Sequence, residues 1–564
     1  MTTVSSTAAW RTCLGLATAT ALVLATGLVP LFAAQKAPER VQNGVTKEER
    51  IARMQAIHAE VSARLPQGHN TAPIFVDITQ EDRDAIDNPV TTERAPQRIG
   101  IVKEINETVG KPAGSPGFQP GVLDEGEGSF VWAVTISSPG AQAIRLHIED
   151  FSLPENAELF LLGADGQADG PHVGQGRNGN GDFWTRSIAG DTGTIVVRYN
   201  GARPDINKAR TTFLVTEVGH IRGRPPRPQL QVHDSWPCSD NASCMVDAQC
   251  VNEDAEDPVA DAKDAVAKLE WIRGIFIHTC TGGLIANSDT IPLMLSANHC
   301  FSKDIANLET FFNYTTTGCN QVCPHNLLTG GAPLADTVGM TVNATNRNSD
   351  YTLFTLNGQP PAGAMFLGWN STPVANSDEF PLFRISNPNF GPQVYSEHEV
   401  DTSSPQCTGI PRGAWIYSKD TFGATMGGSS GSPVVNSNGE IVGQLTGCCG
   451  YNCGNVCDSA SNWTIDGAFA NYFSQVESIL DPQGGGGCTN DADCDDGLFC
   501  NGSETCDTGS SLCQSGSNDC VEGQVCNENT DMCEVATCSP NKTQCSMNSE
   551  CCSNNCRGGT CRGN

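Results

Sequence analysis

GGSSGSPVV, residues 427–435, stands just before the strand-like EIVGQL of 440–445. Its glycines at Gly427, Gly428 and Gly431 let a loop turn tightly and present backbone N–H groups, so Ser430 is either an ordinary turn residue or a nucleophile beside an oxyanion site. Two other stretches bear on the choice. LSANHC, 295–300, ends an apolar run with His299, and SDYTLFTL, 349–356, opens one with Asp350. A serine hydroxyl is a poor nucleophile until a neutral imidazole takes its proton and a carboxylate fixes that imidazole's tautomer. A histidine beside a cysteine, an aspartate opening a strand and a Ser/Gly loop are each commonplace; in combination they make His299, Asp350 and Ser430 candidate catalytic residues. The Gly428 and Ser430 amides are the candidate oxyanion hole.

Composition sets the surroundings. The 564 residues exceed one hydrophobic core, so several domains are expected. Aspartate and glutamate number 63 against 33 lysines and arginines, a formal charge of −30. That sign repels phosphate backbones and anionic bilayers, which argues against nucleic-acid binding and fits simple solubility. Of 27 cysteines only Cys13 precedes residue 238, leaving an even 26 for a secreted disulfide framework. Arg11 followed by LGLATATALVLATGLVPLFAA reads as a secretory signal over 1–34, with Sec-type export and no membrane span after processing.

Periodicity divides the rest. TKEERIARMQAIHAEVSARL, 46–65, reads as a helix. VWAVTIS, AIRLHIEDF, AELFLLG, TGTIVVRY and TTFLVTEVGHI read as strands of a small cysteine-free antiparallel sandwich within 35–237, and IRGRPPRPQLQ as a cleavable linker. Such a module before a cysteine-rich one suggests a propeptide. From 238 to 482, DAKDAVAKLEW reads as a short helix, and WIRGIFI, TGGLIAN, IPLMLSA, YTLFTL and EIVGQL as strands of an antiparallel barrel or sandwich. After a glycine linker at 483–487 come a cysteine-rich module at 488–533 and a second at 538–564; the 77 residues from 488 to 564 hold 14 cysteines, so bridges must replace a core.

The order His299, Asp350, Ser430 is that of the chymotrypsin arrangement. Residues 238–482 resemble the trypsin/chymotrypsin superfamily, in particular its secreted bacterial branch related to lysyl endopeptidase, through SANHC, DYTL, GSSGSP and CTGGLIAN. The upstream WAVTISSPGAQAIRLHIEDFSLPENAELFLLG resembles that branch's propeptides. The resemblance implies an all-β catalytic domain of two antiparallel barrels with a β-rich propeptide and a disulfide-rich tail. It also implies a secreted serine endopeptidase made as a zymogen, acting on protein or peptide substrates without metal or organic cofactor. It suggests a Cys280–Cys300 bridge; a Cys250–Cys319 bridge is also expected. Cys244 is expected to join Cys448, Cys449, Cys453 or Cys457, with the partner open. The last six cysteines resemble a knottin framework, pairing Cys538 with Cys552, Cys545 with Cys556 and Cys551 with Cys561. Ser429 stands where animal trypsins carry the aspartate that receives a new N-terminus, so unmasking by propeptide removal is the simpler activation.

Four residues are candidates for substrate binding. Ala424 takes the position six before the nucleophile, Thr446 and Gly447 follow IVGQL as a strand for the substrate backbone, and Thr464 in SNWTIDGAF takes the position where Lys-specific relatives have an aspartate. Asp466 is close by. With no carboxylate at Thr464, an uncharged P1 residue or broad cleavage is expected. DADCDDG, 491–497, offers carboxylates for calcium but reads more simply as a solvated disulfide loop. The rival to an enzyme is a noncatalytic binding protein acting through the tail, which in either case can attach to a surface or polymer.

Overall fold

Short runs rich in Val, Ile, Leu, Phe and Thr, punctuated by Gly, Asn, Asp and Pro, close here into rings of antiparallel strands. The computed structural model describes residues 34–481, except 42–43, 88–94, 165, 222–241, 252–258, 317, 321–334 and 451; beyond 481 it describes only Asp491 and short strands between 505 and 561. Val266–Arg273, Phe276–Leu284, Leu293–Ala297, Ile305–Phe312, Thr337–Asn346 and Tyr351–Leu356 form one six-stranded barrel. It closes where Gly283 pairs with Leu295. Pro381–Ser386, Val394–Val400, Trp415–Gly423, Pro433–Val435, Ile441–Gly450 and Asn462–Ala468 form the second, closed by Phe383 against Val435. Closure leaves few free edges and buries alternate side chains in each ring.

The fold is therefore all-β with two antiparallel six-stranded barrels, chymotrypsin-like in arrangement. One core runs through the first barrel and into the second, from Leu269, Leu308 and Phe354 to Val435 and Ile441, and the helix Phe469–Leu480 packs on it through Phe469, Tyr472 and Val476. That helix lies against the strand Ile441–Gly450, and hydrogen bonds from Asn471 to Ser349 and from Tyr472 to Gln444 tie it to the seam between the barrels.

The sequence DAKDAVAKLEW is helical only over Ala260–Ala265. From Val266 it is a strand, because Leu269 and Trp271 pack in the barrel core while the alternate Lys268 and Glu270 pair with each other at 2.6 Å. WIRGIFI likewise divides at Gly274, whose φ of +61° turns one barrel strand into the next.

N-terminal to the barrels, the helix Lys47–Ser62 begins at a Thr46–Glu49 capping box. Ser129–Ser137, Ala157–Leu162 and Thr192–Asn200 form one sheet, and Ala143–Ser152 and Thr212–Ile221 belong to another. The sheets face each other across Trp132, Ile136, Leu146, Ile148, Leu161, Val197 and Phe213. The strand Gln97–Glu104 pairs with Thr212–Ile221 on one edge and with Phe276–Leu284 of the first barrel on the other, so one sheet runs from this region into the barrel.

The disulfides join Cys280 to Cys300 and Cys250 to Cys319, and Cys457 is the partner of Cys244. Cys407–Cys449 and Cys448–Cys453 complete those among the described residues. The leader, the linker and the knottin pairings lie outside the described residues. No helix among those described is long and apolar enough to cross a membrane.

Phe354 is fully buried and meets Phe301 edge-on at 5.1 Å. Phe354→Ala is expected to cost about 3–5 kcal/mol, seen as a lower denaturation midpoint at unchanged slope in urea.

Candidate active site

The ends of three strands bring together residues that are far apart in the chain. His299 follows Leu293–Ala297, Asp350 precedes Tyr351–Leu356, and Ser430 precedes Pro433–Val435 across the seam. Asp350 Oδ2 lies 2.7 Å from His299 Nδ1, and Asp350 Oδ1 accepts the His299 backbone N–H at 2.9 Å. Both side chains are buried, at 2% and 6% exposure, so water competes little for either bond. The Asp350 backbone is left-handed, with φ +52°, and its carbonyl accepts from Asn298 N and Gln444 Nε2. Held this way, the carboxylate places the imidazole hydrogen on Nδ1 and leaves the Nε2 lone pair as the basic site. Among the described residues that Nε2 is buried without a hydrogen-bond partner.

The Ser430 loop is held between the barrels. Thr281 donates its amide to the Ser430 carbonyl at 2.9 Å and its hydroxyl to the Gly428 carbonyl at 2.8 Å, while Gly431 N donates to Leu445 O on the opposite side. Cys300 Sγ, bridged to Cys280, lies 3.8 Å from the Ser430 carbonyl, which sets the histidine loop against the serine loop. Gly428 and Gly431 have φ of +100° and +84°, and a Cβ on either would strike neighbouring backbone. Ser429 is fully buried and accepts hydrogen bonds from Ser386 Oγ at 2.9 Å and Met426 N at 3.3 Å, bracing the loop without an ion pair. Among the described residues, neither the Gly428 nor the Ser430 amide is given to a backbone carbonyl.

The substrate-binding candidates separate. Ala424 is buried against Ala242, Met245 and Val394. Thr446 is buried, and the half-buried Gly447 pairs with Ile465 on the neighbouring strand. Thr464 donates its hydroxyl to Asp420 Oδ1 at 2.9 Å. Asp466, the nearby acid in the sequence, is fully buried 2.7 Å from Arg384 Nη2. Burial pushes its carboxyl up, opposed by that guanidinium.

Asp420 has no signal in the sequence marking it for this place. His398 Nε2 faces Arg384 Nη1 at 2.9 Å and Ser396 Oγ at 2.7 Å, and since a guanidinium only donates, the ring hydrogen sits on Nδ1, 2.8 Å from Asp420 Oδ1. Burial disfavours the charge on Asp420, but His398 and the Thr464 hydroxyl outweigh it and hold the carboxyl below its ordinary range. Asp420 thus brings a carboxylate to Thr464, with His398, Arg384 and Asp466 packed behind it.

The residues of DADCDDG after Asp491 lie outside the described ones. Cys280, His299 and Cys300 lie close enough to share a metal ion, but the two sulfurs are bonded to each other.

With this geometry in place, likenesses to known proteins can be stated. Residues 238–463 match the family "Lysyl endopeptidase, C-terminal domain", less than half of the chain. The lysyl endopeptidase of Pseudomonas aeruginosa is 28% identical over 390 residues, which are 64% of this chain and 77% of the relative. The protein is a serine endopeptidase. Among solved structures, the HtrA-type protease AlgW with a decapeptide aligns at 13% identity and a TM-score of 0.28 over 40% of this chain and 66% of its own. Rv3671c from M. tuberculosis aligns at 14% and 0.27 over 42% and 94%.

A methyl at residue 431 would fall against Ser296 Oγ, Thr281 O and Ala297 N. Gly431→Ala is expected to destabilise the endopeptidase by about 1–3 kcal/mol, read as a lowered Tm.

Proposed function

We propose that the chain is a secreted endopeptidase that hydrolyses peptide bonds through Ser430, His299 and Asp350. Ser430 Oγ attacks the peptide carbonyl and forms the C–O bond as its proton passes to His299 Nε2; the Gly428 and Ser430 amides bind the resulting oxyanion. His299 then returns the proton to the departing amine as the C–N bond breaks, leaving an ester on Ser430. Water, deprotonated by the same Nε2, hydrolyses that ester and restores the hydroxyl. The observation that carries this reading is one buried carboxylate bonded to both the ring Nδ1 and the backbone N–H of His299, with the ring's Nε2 unpaired among the described residues.

The chain is made as a zymogen, with residues 35–237 as the masking part and the linker after Ile221 as the place of first cleavage. Support comes from their freedom from cysteine and from the sheet that runs from this part into the first barrel. Export is supported by the leader sequence and by five disulfides between 244 and 457. The tail is an attachment module, on the strength of its cysteine density alone.

Beside the uncharged P1 preference expected from Thr464 we propose a basic one, supported by Asp420, which accepts the Thr464 hydroxyl from the adjacent strand. A lysine or arginine side chain entering there would exchange hydration for a charged partner. The Pseudomonas relative's name, lysyl endopeptidase, accords with this.

Two experiments follow. Fluorophosphonate labelling of the processed protein, read by intact mass, is expected to be stoichiometric and to vanish in Ser430→Ala and His299→Ala; undiminished labelling in Ser430→Ala would place the nucleophile elsewhere. On a peptide library varied at P1, Asp420→Asn is expected to lower kcat/KM for lysine and arginine by about 10-fold or more relative to neutral residues. A parallel fall for all P1 residues would remove Asp420 from the pocket.

A further inference from the structure

The first barrel's strand Phe276–Leu284 carries Thr281, which holds the Ser430 loop on one side, while Leu445 holds it on the other. A polypeptide crossing Ser430 with its acyl half along Thr446–Gly447 therefore leaves along the Phe276–Leu284 side, where an exposed strand edge pairs with extended backbone. In this structure that edge is taken. Gln97 pairs with Thr279, Arg98 with His278, Gly100 with Ile277 and Ile101 with Phe276, all antiparallel. Followed from 101 back to 97, the segment approaches the nucleophile loop, so it runs in the direction of the leaving-group half of a substrate.

Gln97 closes the approach to the loop. It is buried, and a methyl on Gly427 would collide with its carboxamide oxygen. Pro96 is buried and its carbonyl faces the His278 ring. Arg98 lies over the Phe276 ring with its guanidinium carbon 3.9 Å from the centroid, and donates to Ala85 O at 3.1 Å. The segment is also a built-in strand of the N-terminal region, since Gly100 pairs with Ile221 and Ile101 with His220 on its other edge.

The grip on the barrels does not depend on the linker. Arg145 meets Glu309 at 3.1 Å with both side chains fully buried, and Ser187 N donates to Glu309 Oε1 at 2.7 Å. Arg50 pairs with Asp336 at 3.3 Å, and the Lys47 ammonium donates to the Phe312 and Asn313 carbonyls. Further along, Gln35 and Lys36 pair with Asn370 and Trp369 on the second barrel's sheet.

We infer that the edge of Phe276–Leu284 beside Ser430 is a docking site for extended polypeptide whose resident occupant is the chain's own segment Pro96–Ile101, and that this segment stays in place after the linker is cut. The inference rests on the serine-endopeptidase reading of Ser430. The cut chain remains a complex whose leaving-group side is filled; activity on proteins begins only when the N-terminal region departs or is degraded.

The test uses the full chain with a unique cleavage site inserted in segment 222–237 and cut there. Three measurements are made on the cut complex: fluorophosphonate labelling, hydrolysis of a peptide p-nitroanilide, and cleavage of a quenched peptide with the same acyl half and four residues beyond the scissile bond. Labelling and p-nitroanilide hydrolysis are expected to proceed, with the quenched peptide slower by about 100-fold in kcat/KM. Gly100→Val, whose side chain would strike His220 O, is expected to recover at least about 10-fold of the peptide rate. Gln97→Ala, which leaves the strand pairing intact, is expected to recover about threefold and covers the case in which Gly100→Val does not fold. Equal rates on the two substrates in the wild-type complex would overturn the inference. Loss of labelling as well would instead sink the reading of Ser430 on which it rests.

Discussion

One carboxylate makes two bonds on which the site depends. Asp350 holds the His299 ring through Nδ1 and the His299 backbone through N–H, so ring orientation and loop position are set by a single group. Its left-handed backbone is tolerated because its carbonyl is paired to Asn298 and Gln444. Gln444 in turn accepts from Tyr472, so the terminal helix of the second barrel steadies an aspartate of the first. The two barrels are thus joined at the seam by a polar lattice as well as by the shared apolar core, and buried polar groups satisfied in this way favour one arrangement over its near alternatives.

The contact between the N-terminal region and the barrels has a different character. Its centre is a strand shared by two sheets, and around it are buried pairs such as Arg145 with Glu309. Such pairs add little net stability, because desolvation offsets their attraction, yet removing one partner is costly. An interface of this kind is selective and, if one member is cleaved away, exposes groups that water readily solvates. That accords with the masking role proposed for residues 35–237.

Much of this could be read from the sequence. The strands of the sandwich and the barrels announced themselves through apolar runs between turn residues, and SANHC, DYTL and GSSGSP pointed to His299, Asp350 and Ser430 as candidates, the first two of which lie in hydrogen-bond contact. DAKDAVAKLEW misled because Lys268 and Glu270 look solvent-facing at helical spacing, whereas the fold buries them as a pair. Asp420 and Gln97 were illegible for another reason. Each meets a distant segment, Asp420 the strand residue Thr464 and Gln97 the loop at Gly427, and no local pattern encodes which distant backbone a side chain will meet. Asp466 showed the converse: the acid adjacent in sequence is neutralised by Arg384, while the acid that matters to Thr464 comes from a neighbouring strand.

The central claim is that Ser430 carries the acyl group. Rapid-quench mixing of the processed enzyme with a slowly deacylated ester, followed by peptide mapping, tests it most directly. Acylation of Ser430 is expected to give a burst of one equivalent of leaving group and an acyl mass on the peptide containing residues 427–435. Steady hydrolysis without a burst, with no acylated peptide trapped or with the adduct on another residue, would contradict it.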